Sequence, residues 1–375
     1  MNPTRSLLYL RKCILRLPFL QQQLLKSLSF CAKKTLPTCI LYDNAIEARE
    51  RLEHIWPDPK QSSVCQARKQ ISHRVDLQVI MATYNNAPFL VEAIESVRQQ
   101  QGPYHVELII VDDGSTDETS SILQRYQQDV DILLIHQPNA GPAAARNTAL
   151  KHLAAPYVFF LDADDRIPQN TVTALLDKAF ACDADIVEGS MILFSNKRVL
   201  SKHQHTEAVD EPLFGYACGK AFKTTLFSYV QFPLGYWFED SIASWLLHPL
   251  AKRMVTITPY SYHYRTNPQG ITHTVSARPK ALDAVYVTEQ MIRDTQQLGL
   301  PLDQRAYEQL LCEIRLNFIH TCRLGIQVQK DVFTLSLHWI DTYFPSFTTT
   351  KKENKNLQQA LDRRDFNAYL VNCCL

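Results

Sequence analysis

The stretch YVFFLDADD, residues 157–165, combines a continuous apolar run with three carboxylates at its end. A short apolar run is typical of a buried strand, so Asp162, Asp164 and Asp165 are expected where that strand emerges into solvent. Like charges this close repel, and they are stable when water, hydrogen bonds or a divalent cation shares the charge. The stretch therefore indicates either a metal site or a turn in which Asp164 and Asp165 cap the helix after Pro168.

Strand and helix candidates alternate in the region that leads to this stretch. The strands are predicted at residues 77–81, 106–111, 132–135 and 157–161, and the helices from Pro88 onward, at 119–126 and at 142–153. Apolar strands between amphipathic helices predict an α/β fold with a mostly parallel sheet flanked by helices. Functional loops of such sheets collect at the carboxyl ends of the strands, where the polar loops 83–86, 112–117 and 162–165 fall.

Composition and charge limit the class of protein. The 375-residue chain is 46% hydrophobic with a net charge of +1, which excludes a disordered chain and disfavours a nucleic-acid partner. The charge is uneven, because seven basic residues, interspersed with leucines, precede the first acidic residue, Asp43. Residues 1–42 are therefore expected to form a basic amphipathic helix, interrupted near Pro18, that contacts a membrane surface.

The sequence divides into three regions. Residues 1–75 are predicted to be a basic, helical appendage with a linker, 76–275 the α/β domain, and 276–375 a helical C-terminal extension. No apolar stretch approaches the roughly 20 residues that span a bilayer, and no cleavable signal is evident. The ten cysteines contain no CxxC pair, so we expect reduced thiols in a cytoplasmic protein. The basic segment 1–42 adds the expectation that it is peripheral at the cytoplasmic face of the membrane.

Several phosphate-handling and hydrolytic motifs are absent from the sequence. It contains no GxxxxGK[ST] loop, GxGxxG fingerprint, GxSxG elbow or HExxH pair. If the sheet binds a nucleotide, its diphosphate needs another source of positive charge. A divalent cation on the carboxylates of residues 162–165 would supply it, because Mg²⁺ commonly binds one or two carboxylates plus substrate phosphates.

Four motifs in a fixed order resemble the signatures of family 2 glycosyltransferases of the GT-A fold. They are VIMATYNN at 79–86, IIVDDGSTD at 109–117, NAGPAAARN at 139–147 and FLDADD at 160–165. The resemblance continues through CGKAFK at 218–223, FPLG at 232–235, Glu239-Asp240 and YHYR at 262–265, and it covers roughly residues 76–275. It implies a Rossmann-like GT-A domain with helical N- and C-terminal extensions, of the kind that builds bacterial polysaccharides or lipopolysaccharides.

On the donor side, the resemblance implies a role for each motif residue. Tyr84 would stack on the uracil ring, and Asp113 would accept a hydrogen bond from the uracil imide. Asp164 would be the main ligand of Mn²⁺ or Mg²⁺, and Asp162 would contact the ribose or a metal-bound water. Arg146 would reach the nucleotide from its helix, although an arginine on a helix is as often part of a salt-bridged face.

Other polar residues near these motifs have structural alternatives. Asp112 and Asp117 are expected to cap the turn and helix that follow them. Asp165 is an additional carboxylate that would orient the loop. His263 and His273 are either further metal ligands, as the resemblance allows, or structural histidines.

The acceptor side is expected around Glu239-Asp240. The resemblance assigns Asp240 as the base that takes the proton of the attacking hydroxyl, with Glu239 as its neighbour or an acceptor ligand. The alternative is that these acids cap a helix. Trp237 would face the apolar side of a sugar, and Lys220 and Arg265 would support diphosphate or acceptor binding.

These expectations combine into one function with two alternatives. The chain is expected to be a metal-dependent, inverting glycosyltransferase of the hexosyl or N-acetylhexosaminyl type, acting in polysaccharide biosynthesis of the cell envelope. Its donor would be a nucleotide diphosphate sugar, most simply a UDP-sugar, and its acceptor a hydroxyl of a glycan or lipid-linked molecule. The alternatives are a sugar-1-phosphate nucleotidyltransferase and a non-catalytic nucleotide- or carbohydrate-binding protein of the same fold.

Overall fold

The structure, a computed structural model, describes most of the chain in two compact units. The described residues are 38–41, 44–67, 73–195, 198–211, 213–268, 270, 274–275 and 278–374. The sheet unit comprises Gln61–Pro268 and Gln297–Leu300, and the helical unit comprises the chain up to Lys60 together with Gln269–Gln296 and Pro301–Leu375. His273 and nearly all of the expected membrane-contacting segment 1–42 lie outside the described residues.

The sheet unit is built on a nine-stranded sheet within the described ranges. The strands are β1 Leu77–Thr83, β2 Val106–Asp112, β3 Ile132–His136, β4 Tyr157–Phe160, β5 Ile186–Ser195, β6 Arg198–His203, β7 Ala208–Val209, β8 Lys220–Lys223 and β9 Met254–Arg265. Their order is β3-β2-β1-β4-β8-β5-β9-β7, and β6 pairs with β5. The fold is therefore mixed α/β with a central sheet and flanking helices, as predicted.

The helices are numbered along the whole chain. They are α1 Ala45–Ile55, α2 Ala87–Arg98, α3 Thr119–Gln124, α4 Pro142–Leu150, α5 Thr171–Cys182, α6 His248–Leu250, α7 Asp283–Gln297, α8 Gln304–Thr321, α9 Ile326–Tyr343, α10 Lys355–Asp362 and α11 Phe366–Cys374. Pro88 and Pro142 lie in the first turns of α2 and α4, where the backbone N–H that proline lacks has no helical partner. No helix among the described residues is long and apolar enough to cross a membrane.

The first half of the sheet is parallel and the second half is mixed. Strands β1, β2, β3 and β4 pair in parallel, which follows from the helices that connect them. Strand β8 runs antiparallel to both β4 and β5, and β9 runs parallel to β5. The parallel register pairs Thr83 with Asp112 and Ile80 with Phe160, so the carboxyl ends of β1, β2 and β4 meet at one edge, as expected.

The helical unit contains residues from both ends of the chain. In this unit α1 packs on α9, and Arg51 Nη2 lies 2.6 Å from Asp331 Oδ1. The indole N–H of Trp56 donates a 2.9 Å hydrogen bond to Asp283. The segment around Ile40 forms a bridge with Asp365 next to α11. Residues of the N-terminal region up to Lys60 and of the C-terminal extension, which the sequence analysis predicts as separate regions, thus belong to one compact unit.

Candidate functional site

The loops that follow β1 and β2 are joined by Asn85. This residue has a left-handed backbone (φ 53°), which asparagine tolerates better than most residues. Its side-chain oxygen accepts hydrogen bonds from the backbone N–H groups of Thr116 (2.8 Å) and Asp117 (3.2 Å). Its own N–H donates to Ser115 Oγ at 3.0 Å. The neighbouring Tyr84, 46% exposed, is thereby presented at the sheet edge.

Two acids of the second motif have the capping roles expected from the sequence. Asp112 is buried and accepts hydrogen bonds from the N–H of Ser115 (3.0 Å) and the hydroxyl of Ser120 (2.7 Å). Burial alone would raise the pKa of Asp112, but these hydrogen bonds outweigh it and lower the pKa. Asp117 accepts a 2.9 Å bond from the N–H of Thr119 at the start of α3.

Asp113 fixes the loop that leads into α4. It is buried and accepts hydrogen bonds from the side chain of Gln137 (2.7 Å) and from the N–H groups of Ala140 (2.9 Å) and Gly141 (2.8 Å). The next residue, Gly114, has φ 74°, and a Cβ there would lie 2.8 Å from a backbone nitrogen of this loop. Among the described residues, Oδ2 of Asp113 accepts only the Gly141 bond, which leaves it further acceptor capacity.

Arg146 links the two acidic motifs. It lies on α4, 9% exposed, and its guanidinium contacts Glu239 through Nη1 and Asp162 through Nη2, the latter at 2.8 Å. It also lies over the Phe232 ring, 5.3 Å from its centroid. Burial alone would lower the pKa of Arg146, but the charges of Glu239 and Asp162 raise it above its ordinary value. One arginine thus joins the acidic turn to the residue that precedes Asp240.

The acidic turn, residues Asp162–Asp165, concentrates like charges under partial burial. Burial, then the charge of Asp162, raises the pKa of Asp164, whose Oδ2 accepts a 3.0 Å hydrogen bond from Asn267. Asp165 is 1% exposed, and burial with the charges of its neighbours raises its pKa well above the ordinary value. Its Oδ1 accepts a 2.6 Å bond from the N–H of Arg265, which ties the turn to the end of β9.

The chemistry of the acidic turn fits a divalent cation that substrate phosphates help to hold. Among the described residues, no group of three or more His, Cys, Asp or Glu side chains is placed to hold a metal. Asp162 and Asp164 offer two hard oxygen donors, and Mg²⁺ sites often use one or two carboxylates together with substrate phosphates. Burial, then the charge of Arg166, lowers the pKa of nearby His263 to about 4, so its imidazole is neutral at pH 7.

The two expected cations of the acceptor side differ in placement. Arg265 lies at the acidic turn, where its Nε donates a 2.6 Å hydrogen bond to the carbonyl oxygen of Asp164. Lys220 is fully buried in β8, and its Nζ lies 2.7 Å from Glu188 Oε1 and 2.7 Å from the carbonyl oxygen of Tyr216. Because it is fully buried in this internal ion pair, Lys220 is not placed to contact a diphosphate or an acceptor, contrary to the expectation from the sequence.

The segment around Asp240 has an irregular backbone. Phe238 adopts φ 67°, a left-handed conformation that is uncommon for a bulky residue. Residues Glu239–Ser241 form one 3₁₀ turn, and a π-helical turn, Ala243–Leu247, follows it. Trp237 and Asp240 are both partly exposed. Backbone outliers and π-helical turns often occur at functional sites, which favours the functional reading of this pair over a simple helix cap.

Two contacts of the acidic turn were missed by sequence reasoning. The hydroxyl of Tyr262 accepts a 3.2 Å hydrogen bond from the N–H of Asp162, and Asn267 donates to Asp164. Tyr262 belongs to the YHYR motif, but the motif by itself does not indicate this contact. No sequence pattern singles out Asn267, because it follows the strand end in an irregular segment.

The fold and the site first define a class of protein. A central sheet with flanking helices, with the acidic turn at the carboxyl end of β4, is the arrangement of GT-A-type folds. Residues 78–241 match the family model described as Glycosyl transferase family 2. Residues 78–241 of the chain are therefore similar to glycosyltransferase family 2.

Curated relatives are similar to this chain over part of their own length. Glycosyltransferase GlyA of Streptococcus pneumoniae is 27% identical over 259 residues, which cover 63% of this chain and 37% of GlyA. Glycosyltransferase GlyG of the same organism is 27% identical over 247 residues, 60% of this chain and 82% of GlyG. Poly(ribitol-phosphate) beta-N-acetylglucosaminyltransferase TarS of Staphylococcus aureus is 27% identical over 271 residues, 68% of this chain and 46% of TarS. The chain therefore spans less than half the length of GlyA and of TarS.

A solved structure supports the fold assignment. The crystal structure of S. aureus TarS 1–349 in complex with UDP-GlcNAc has a TM-score of 0.63 at 19% identity, covering 79% of this chain and 90% of that one. At this identity the likeness shows the fold.

Proposed function

We propose that the chain transfers a sugar from a UDP-sugar to a hydroxyl of a glycan or lipid-linked acceptor, with inversion at the anomeric carbon and with Mn²⁺ or Mg²⁺ as cofactor. The observation that carries the proposal is the Arg146 link between Asp162 and Glu239. These residues belong to the motifs that family resemblance assigns to the donor and to the acceptor. Transfer requires both substrates at one centre, and this link holds the two motifs together.

The donor is proposed to bind along the carboxyl edge of β1, β2 and β4. The exposed ring of Tyr84 offers a face on which uracil can stack. Asp113 holds the loop 137–141 and has acceptor capacity on Oδ2 for the imide N–H of uracil. Relatives support this donor class, because TarS is named as a beta-N-acetylglucosaminyltransferase and its structure contains UDP-GlcNAc.

Asp164 and Asp162 are proposed to hold the divalent cation. When bound, the cation would neutralise charge that develops on the leaving diphosphate. The raised pKa of Asp164 reflects burial and the charge of Asp162, and a cation would relieve the same repulsion. Asp165 stabilises the turn by accepting a hydrogen bond from the backbone N–H of Arg265.

Asp240 is proposed as the base of the transfer step. The acceptor oxygen would form a bond to the anomeric carbon as the bond to the diphosphate oxygen breaks, and the hydroxyl proton would pass to the Asp240 carboxylate. Glu239 is held by Arg146, which fixes the backbone on which Asp240 lies. Trp237, partly exposed beside them, would contact the apolar face of the acceptor sugar.

A release assay over a panel of nucleotide sugars tests this proposal. UDP-linked hexoses and N-acetylhexosamines are offered with Mn²⁺, with Mg²⁺ and with chelator, together with GDP-linked sugars as a comparison. We expect UDP release from at least one UDP-sugar, dependent on metal and lost in Asp164→Asn. Release from GDP-sugars alone, or UDP release that chelator leaves unchanged, would contradict the proposal. Nucleotide binding without turnover on any acceptor would indicate a binding protein.

The site of action is proposed to be the cytoplasmic face of a membrane, where the chain attaches peripherally. The basis is the basic, leucine-rich sequence of residues 1–42, since such segments bind anionic lipid surfaces. A lipid-linked acceptor would be available there.

A further inference from the structure

Two side chains of α2 and one just beyond its end hold the segment that follows the acidic turn. Glu92, Ser96 and Gln100 are spaced four residues apart, which places Glu92 and Ser96 on one face of α2, and Gln100 follows the cap residue of this helix. Ser96 Oγ accepts a 3.2 Å hydrogen bond from the N–H of Ile167. Gln100 Nε2 donates a 2.7 Å bond to the carbonyl oxygen of Pro168. This row of contacts, the α2 seam, fixes the chain after the acidic turn.

Glu92 is the member of the seam closest in sequence to the strand end, and it binds two arginines. Its Oε1 lies 2.5 Å from Arg166 Nη1, and its Oε2 lies 2.5 Å from Arg265 Nη2. Arg265 in turn donates from Nε to the carbonyl oxygen of Asp164 and from its backbone N–H to Asp165, both at 2.6 Å. A continuous chain of polar contacts therefore runs from Glu92 to two residues of the acidic turn.

The guanidinium of Arg265 is held in one plane. It lies over the rings of Phe89 (4.9 Å) and Phe194 (4.5 Å), and Arg265 is only 8% exposed. In this orientation Nε donates to the carbonyl oxygen of Asp164, and no ion pair within 4.0 Å joins these two described residues. The charge of Arg265 lowers the pKa of Asp164 only as a minor contribution beside burial and the charge of Asp162, which raise it.

We infer that Glu92 is a positioning residue for the acidic turn, setting its affinity for a divalent cation by keeping the Arg265 guanidinium from pairing with the Asp164 carboxylate. This inference rests on the proposed function. Without the Glu92 carboxylate, Arg265 loses the partner of Nη2, and its charge is drawn toward Asp164, whereas Asp162 already pairs with Arg146. A guanidinium paired with Asp164 would compete with the cation for the Asp164 oxygens.

The effect is expected in cation affinity more than in stability. Glu92 has a side chain that is 41% exposed, and ion pairs at such positions contribute little to folding. By contrast, residues that orient metal ligands commonly change metal affinity by about 10- to 100-fold when substituted. We expect Glu92→Gln to weaken Mn²⁺ binding in the presence of UDP by about tenfold.

Glu95→Gln is the matched control. Glu95 lies on the same helix and pairs with Arg98 at 3.0 Å, away from the acidic turn. Calorimetric titration of Mn²⁺ into the full chain with UDP present compares wild type, Glu92→Gln and Glu95→Gln, and thermal unfolding checks that each variant is folded. We expect a weaker Mn²⁺ affinity in Glu92→Gln alone, and a KM for the donor that recovers at high Mn²⁺ while kcat changes little.

A double variant tests the route through Arg265. In an Arg265→Gln background, Glu92→Gln should weaken Mn²⁺ binding much less than in wild type, because the charge that Glu92 positions is absent. Equal losses in both backgrounds, or equal affinities in Glu92→Gln and Glu95→Gln, would overturn the inference and leave the proposed function intact. A wild-type chain with no Mn²⁺-dependent UDP binding would overturn both.

Discussion

Arg146 is the side chain that contacts both acidic motifs, the acidic turn at Asp162 and the pair Glu239-Asp240. A lone helical arginine left two interpretations open from the sequence, a nucleotide contact or a salt-bridged face. In the structure it is a buried, salt-bridged residue that contacts Asp162 and Glu239 at once. Its contribution to transfer would therefore be to hold donor-side and acceptor-side residues in register.

Arg146→Lys should reduce transfer far more than it reduces folding. Lysine keeps the charge but lacks the planar fork that serves two carboxylates. Misplacement of one motif relative to the other is expected to lower kcat by about 100-fold, measured as UDP release. Arg125→Lys, an exposed position at the end of α3, is the control and should retain full turnover. Activity of Arg146→Lys close to that of the control would contradict this role.

Tyr84 tests the proposed uracil contact. Tyr84→Ala should weaken UDP binding by about tenfold or more, because stacking of a base on an aromatic ring contributes about 1–3 kcal/mol. Tyr84→Phe retains the ring and should bind UDP nearly as well as wild type. Calorimetric titration with UDP measures both, and equal binding by the alanine and phenylalanine variants would rule out stacking.

The sequence predicted single residues well where their partners are near in the chain. Asp112 and Asp117 accept hydrogen bonds from donors within eight residues, which turn chemistry predicts. Their further contacts, His136 Nδ1 with Asp112 and the N–H of Ala87 with Asp117, lie on other segments and were not predicted. The burial of Lys220 could not be predicted, because its partner Glu188 lies on a different strand and the pairing appears only when β8 enters the sheet. The contact of Arg146 with Glu239 could not be predicted for the same reason, because the two residues are far apart in the chain.

Among the elements, the loop between α9 and α10 shows how one buried acid organises a segment. Glu308 on α8 is 6% exposed and accepts hydrogen bonds from Thr349 Oγ1 (2.8 Å), Thr350 N–H (2.7 Å) and Asn354 Nδ2 (2.9 Å). Burial alone would raise the pKa of Glu308, but the bonds from Asn354 and Thr349 lower it below the ordinary 4.5. The ionised carboxylate therefore stabilises the helical unit.

Glu308→Gln should destabilise the chain by about 1–3 kcal/mol at pH 7, because an amide cannot accept all of these bonds. Folding lowers the pKa of Glu308. The stabilisation by this carboxylate is therefore complete at pH values above its pKa in the unfolded chain, and it is lost as pH falls through its pKa in the folded chain. The difference between wild type and variant in thermal or urea unfolding should thus shrink as pH falls below the ordinary pKa of 4.5. Glu353→Gln, an exposed position in the same loop, should show no such difference, and a constant difference across pH would contradict the assignment.

The strands and helices that the sequence predicted are those with clear periodicity. Elements β1 to β4 and α2 to α4 were anticipated because apolar runs alternate with amphipathic segments and the motifs mark the strand ends. Strands β6, β7 and β8 were not anticipated. Strands β7 and β8 are short, and β6 and β7 have mainly exposed or half-buried residues, so their pairing depends on β5, β4 and β9 rather than on a local pattern.

For the molecule as a whole, a truncation that tests the membrane contact of residues 1–42 should end before residue 38. Residues 39–41 make backbone contacts next to α11, including a 2.8 Å hydrogen bond from the N–H of Phe366 to the carbonyl oxygen of Cys39. Removal of residues 1–42 would delete these contacts together with the basic segment. A cut after residue 37 separates the two effects.

Removal of residues 1–37 should release the protein from phosphatidylglycerol vesicles while turnover on a soluble acceptor persists. All seven basic residues that precede Asp43 lie in this segment, and attraction to an anionic surface contributes about 1 kcal/mol per basic residue. Vesicle sedimentation measures the binding, with neutral phosphatidylcholine vesicles as the control. Unchanged sedimentation with anionic vesicles would exclude the proposed attachment. Removal of 1–42 should release it equally and also lower the unfolding temperature.

Asp240 is proposed to act as the base of a sugar transfer, while the other residues of the site bind the donor and its cation. The most direct measurement compares Asp240→Asn with wild type for both turnover and binding, using UDP release with acceptor and calorimetric titration with UDP and Mn²⁺. We predict that transfer is abolished while UDP and Mn²⁺ affinities stay within about twofold, because asparagine preserves the shape but cannot accept the proton. Retained turnover in Asp240→Asn would contradict the account.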